Sequence, residues 1–132
     1  MRADPKKADN STQFMLEQGR LVELEARRLY PDGDLIQKQQ DDSTTDLNHR
    51  LAEAEEGHVF FEAEFRFDNC VARPDILRRE ANGWHLIEVK SGTSLRPKYV
   101  DDVAYTTMVV EDAGIPISRI SLMLLNPEFE VD

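Results

Sequence analysis

The feature that most constrains this chain is the pair Asn82-Gly83 inside "ARPDILRREANGWHLIEVKSG", residues 72–92. Asn-Gly between two β-rich segments is the strongest short-range hairpin signal, so the segments on either side read as adjacent antiparallel strands. With Asn82 and Gly83 as the two loop residues, Ala81 faces Trp84, Leu77 faces Glu88 and Asp75 faces Lys90. Facing and alternate residues share one side of a sheet. Asp75, Glu88 and Lys90 are therefore expected on one face, with Asp75 and Glu88 diagonal neighbours at roughly 7 Å between backbones. Pro74 cannot donate a ladder hydrogen bond and Gly92 interrupts the second strand, which puts the trio where the strands part.

The rest of the chain supplies the elements around this hairpin. Residues 1–10 are polar and read as a flexible N-terminal segment, and 11–132 as a single domain. From Ser11 to Tyr30 the spacing of Met15, Gly19, Val22, Ala26 and Leu29 marks one face of a helix, stopped at Pro31-Asp32-Gly33. "DLIQK" reads as a short strand, and "DDSTTDLNHRLAEAEEG" as a solvated helix or an ordered loop. From Val59 the period changes to two, with Phe61, Ala63, Phe65 and Phe67 pointing one way. With the hairpin this predicts a three-stranded antiparallel meander. Pro97 opens a second helix, whose inner stripe is Val100, Val103, Ala104, Thr107 and Met108 and which stops at Gly114, and "ISRISLMLL" is a last buried strand. The fold class expected is α/β: helix, three-stranded meander, helix, strand, with a mixed sheet flanked by helices.

Charge narrows the function classes. The net charge of -10 argues against tight free-standing binding to nucleic acid, but it is unevenly placed. Residues 66–98 carry 7 Lys/Arg against 4 Asp/Glu, whereas 1–65 carry 8 against 15 and 99–132 carry 1 against 7. The only basic third contains the hairpin. No apolar run approaches a membrane span, and "MRADPKKADNST" has no secretory h-region, so a soluble cytoplasmic protein is expected. A single cysteine, Cys70, forms no internal disulfide, and its apolar neighbours suit a buried strand position.

Two carboxylates as close as Asp75 and Glu88 can share a divalent ion. Oxygen ligands with water completing the shell suit Mg²⁺ or Mn²⁺, while His49, His58 and His85 are scattered and offer no zinc spacing. A cross-strand ladder of ion pairs is the plainer account of the same three residues. The surroundings favour the metal: "HLIEVKSG" is otherwise an apolar, buried type of strand, where an acid is costly unless it binds something.

Pro74-Asp75, twelve residues, then Glu88-Val89-Lys90, set in this order of elements, resembles the PD-(D/E)xK nuclease superfamily, over roughly Ser11 to Pro127. Within it the chain is most similar to the RecB-like exonuclease branch, through "FMLEQGRLVELEARRLYPDG" and "DDVAYTTMVVEDAGIPISRISLMLLNPEF". The resemblance implies a restriction-endonuclease-like core and an Mg²⁺/Mn²⁺-dependent deoxyribonuclease acting in DNA repair, recombination or defence. It implies metal ligation by Asp75, Glu88, the Val89 carbonyl and Glu23, with Lys90 orienting or activating the attacking water. Arg73, Arg78, Arg79, Arg96 and Lys98 are the candidate phosphate contacts. The chain departs from the branch at Thr106, where a glutamine is usual, and at Glu23, where a histidine is common. The rival expectation is a catalytically silent nuclease-like module that binds nucleic acid or a partner protein. Additional domains or a partner protein would suit the acidic flanks, and the end of the chain soon after a strand suggests a fragment.

Overall fold

A computed structural model of the chain describes residues 19–36 and 44–126. The expected flexible segment 1–10, the start of the first helix with Met15, and the far end of "DLIQK" lie outside the described residues. The first helix, α1, runs through residues 19–28. It is followed by β1 (Asp34–Leu35), α2 (Thr44–Ala52), β2 (Val59–Phe61), β3 (Phe65–Phe67), β4 (Cys70–Ala72), β5 (Ile76–Glu80), β6 (Gly83–Ser91), α3 (Pro97–Asp112) and β7 (Ile117–Leu125). A mixed five-stranded sheet has the order β1-β2-β5-β6-β7, parallel at both edges and antiparallel in the middle. β3 and β4 form a separate two-stranded ribbon against α3.

The sheet is covered on both faces, which makes the architecture three-layered. On one face Phe60, Leu77, Trp84 and Leu86 pack with Val109 and Val110 of α3 and with Ala63, Phe65 and Ala72. On the other, Val59, Phe61, Ile76, Ile87 and Val89 pack with Val22 and Ala26 of α1. β6 lies inside the sheet with a helix over either face, which is why it reads as a nearly continuous apolar run. Among the described residues no helix is long and apolar enough to cross a membrane.

Four local expectations are corrected. The strand from Val59 to Phe67 breaks at Glu62, whose φ of 60° turns the chain and reverses the alternation. Phe61 faces α1, but Ala63 and Phe65 face α3. The strand before the hairpin breaks likewise at Arg73-Pro74, so the meander is β2-β5-β6 with the ribbon inserted between its first two strands. The hairpin register also differs. Glu80 pairs with Gly83 and Arg79 with Trp84, making Ala81 and Asn82 the loop. Neither has a positive φ, so the Asn-Gly turn type does not form. Gly83 serves a different need: a Cβ there would lie 3.0 Å from the Pro116 carbonyl oxygen, and Trp84 N–H donates to that oxygen at 2.9 Å. Along α3 the inner residues are Val103, Thr106, Thr107, Val109 and Val110, while Val100, Ala104 and Met108 are exposed.

Candidate metal and phosphate site

Shifting the hairpin by two residues keeps every side chain on its expected face, because the side-chain period is two. It also changes who meets whom: extending the observed register past Ile76↔Ile87 places Asp75 opposite Glu88 instead of diagonal to it. β5 has ended there, and side chains bridge the gap that the backbone ladder leaves. Asp75 N–H donates to Glu88 Oε1 at 3.1 Å, and Val89 N–H donates to Asp75 Oδ2 at 2.7 Å. The N–H and C=O of one strand residue point to the same edge, so the Val89 carbonyl faces this opening too. The Asp75 carbonyl accepts from Glu62 N–H at 3.2 Å, which ties the kink after β2 to the same place.

Electrostatics mark the pair. Glu88 is 7% exposed. Burial first, then the charge of Asp75, pushes its carboxyl up to about 7. Burial also raises Asp75, against the pull of the Val89 N–H and of Lys90. Glu23, on the α1 side, is raised by burial and then by Asp75 and Glu62. Glu23, Arg27, Glu62 and Asp75 line a cleft enclosing about 10 Å³, room for one water-sized body. Arg27 is ion-paired with Glu62 and, among the described residues, is the one cation lining this cleft.

Lys90 extends toward α3, where its Nζ donates to Asp102 Oδ2 at 3.0 Å. Burial works against its charge, but Asp102, followed by Glu88 and Asp75, outweighs that and raises its pKa. Neither Asp102 nor Glu62 stood out in the sequence. Asp102 sits within an acidic pair on a helix, and Glu62 within an alternating strand, so both looked like solvated positions.

The basic candidates separate by place. Arg73 follows β4 next to the site and pairs with Glu64 at 2.9 Å, while Arg96 and Lys98 stand at the start of α3, Lys98 sharing Asp102 at 3.4 Å. Arg78 and Arg79 lie toward the hairpin end of β5. Arg79 donates to the Glu80 and Gly83 carbonyls and stacks on Trp84, and Arg78 is 3.6 Å from Glu80, so the fold does not bring them to the acids. Thr106 is buried in the face of α3 that packs on the sheet, one turn beyond Asp102. His58 bonds Asp34 at 2.6 Å and His85 bonds Ser121 at 2.6 Å, each away from the acids.

The donor set at the parting strands is all oxygen, which suits a hard cation that keeps several waters and needs only one or two carboxylates. Among the described residues, no three His, Cys, Asp or Glu side chains stand together at metal-ligand spacing. The facing pair is thus the core of any such site. No family model, no curated protein and no solved structure matches the chain.

Proposed function

We propose that this chain is a divalent-metal-dependent nuclease of the PD-(D/E)xK type, similar to the RecB-like branch and built on a restriction-endonuclease-like core, that hydrolyses DNA phosphodiester bonds. The observation that carries the reading is a pair of carboxylates, half-buried Asp75 and buried Glu88, facing each other where two strands part, with Lys90 two residues further on. Burying two acids so close raises the free energy of their charged forms, and a bound dication offsets that cost. Asp75, Glu88 and the Val89 carbonyl would hold Mg²⁺ or Mn²⁺, with Glu23 reached directly or through water. The ion would supply Lewis-acid polarisation of the phosphate and a more acidic bound water. Lys90 contributes a positive charge beside the acids, offsetting negative charge that builds on the phosphate oxygens. Arg73, two residues before Asp75, and Arg96 and Lys98, at the start of α3, would make backbone contacts that position the strand.

One observation favours the silent module instead: the Lys90 ammonium is bonded to Asp102 rather than to the acid pair. Two measurements separate the readings. Calorimetric titration with Mn²⁺ should show binding to wild type and none to Asp75→Ala or Glu88→Ala; wild-type affinity in both variants would remove the site. Degradation of linear single- and double-stranded DNA should depend on Mn²⁺ and fall on the order of 100-fold in Lys90→Met, with metal affinity retained. Metal binding without any cleavage by wild type would establish the silent module.

A further inference from the structure

The first turns of α3 close around Lys90. Arg96 at the N-cap makes no side-chain capping bond, and the first turn carries no acid. The helix start is tied down through β6 instead: Tyr99 Oη donates to the Ser91 carbonyl at 3.0 Å, and Asp102 accepts from Lys90 at 3.0 Å. Tyr99 also places its ring 5.6 Å from the Lys90 ammonium, so a carboxylate and an aromatic face from neighbouring turns close on the same group. Lysine is a point charge on a flexible four-carbon stem with freely rotating donors. Such a group reaches a fixed place only if a second group holds it.

We propose that Asp102 is the positioning residue of Lys90, fixing the ammonium beside the Asp75–Glu88 opening so that it meets a phosphate without reorganising. This rests on the nuclease reading for its consequence in catalysis, though not for the holding itself. Asp102 touches neither the acid pair nor, on this account, the substrate. Its oxygen is shared with exposed Lys98, which leaves one carboxylate between two ammonium groups and makes its geometry sensitive to loss of charge. A displacement of about 1 Å at a catalytic group costs on the order of 100-fold in rate, which sets the size of effect to look for.

The test uses the full chain with Asp102→Asn and Asp102→Glu. In metal-free protein, nitrogen-15 relaxation of the Lys90 ammonium should report a restricted group in wild type, a mobile one in Asp102→Asn, and restored order in Asp102→Glu. In Mn²⁺-dependent cleavage, Asp102→Asn should lower kcat at least 10-fold with KM within about 2-fold of wild type, and Asp102→Glu should recover most of the loss. A plain staple between α3 and β6 would lower the melting temperature and leave the kcat of the folded protein unchanged, and that result overturns the proposal. Unchanged order of the Lys90 ammonium in Asp102→Asn overturns it as well. If wild type cleaves nothing, the nuclease reading falls by itself, and the relaxation arm alone decides whether Asp102 holds Lys90.

Discussion

At Glu88 the ordinary carboxyl pKa of 4.5 rises to about 7 through burial and the facing Asp75. A raised acid holds its proton more tightly in the folded chain than in the unfolded one, so its contribution to stability is complete below about pH 4.5 and is lost as pH rises through about 7. Glu88→Gln keeps an oxygen for the Asp75 N–H and removes the titration. The variant should be more stable than wild type at pH 8, by up to about 3 kcal/mol, with the gap closing near pH 5. Urea unfolding at the two pH values measures this, and an equal gap at both would show that Glu88 is not held protonated by its surroundings. Lys90 is raised as well: burial works against its charge, but Asp102, followed by Glu88 and Asp75, outweighs it, so it too binds its proton more tightly in the folded chain. The two residues lie two positions apart on β6, and their shifts have different main causes: burial and Asp75 for Glu88, Asp102 against burial for Lys90.

Elements are held in register by close backbone approaches, and glycines mark two of them. A Cβ on Gly33 would enter the Phe61 ring, which is buried against α1, whereas one on Gly19 meets nothing within 4 Å. Gly33→Ala should therefore destabilise by roughly 1–3 kcal/mol through overpacking. Gly19→Ala, within α1, should be neutral or stabilising by up to about 1 kcal/mol, because alanine loses less backbone freedom in a helix. Chemical denaturation of both variants checks the opposite signs; destabilisation by Gly19→Ala would reveal a packing role hidden from the described residues. Gly83 shows how such approaches limit what a sequence tells. Asn82-Gly83 announced the hairpin, but Gly83 is committed to the Pro116 backbone, so the loop moved back by one residue and the pairing shifted by two. An even shift preserves faces, so the gathering of Asp75, Glu88 and Lys90 was legible even though their pairing was not. The break at Glu62 was not legible, since a positive φ at a glutamate leaves no mark in an alternating pattern. The inner face of α3 was half legible: Val103 and Thr107 pack inward, while Val100 and Met108 lost their places because the helix leans on the ribbon as well as the sheet.

For the whole molecule the deciding quantity is where charge sits, since a net charge of -10 opposes the approach of DNA from most directions. The basic third, residues 66–98, delivers only part of its charge to the opening between β5 and β6. Arg78 and Arg79 are drawn to the hairpin end, and Arg73 and Lys98 are already paired with Glu64 and Asp102. On the nuclease reading, Arg73, Arg96 and Lys98 are left to contact the backbone of a bound strand. Phosphate contacts release counterions in proportion to their number, so about three of them predict a slope of log K against log salt of roughly -2 to -3. Binding to DNA should accordingly be weak and fall about 15- to 60-fold between about 50 and 200 mM salt. Fluorescence anisotropy with a labelled single strand, in chelator to prevent cleavage, measures both slope and affinity. Arg73→Ala should reduce the slope by about 1 while Arg78→Ala leaves it unchanged, because Arg73 is two residues from Asp75 in the chain whereas Arg78 is drawn to Glu80 at the hairpin end. Tight binding that barely responds to salt would mean that the isolated chain recognises DNA through contacts other than these. Weak binding with the predicted slope would bear out the charge map, in which only a few cations are left to meet phosphates.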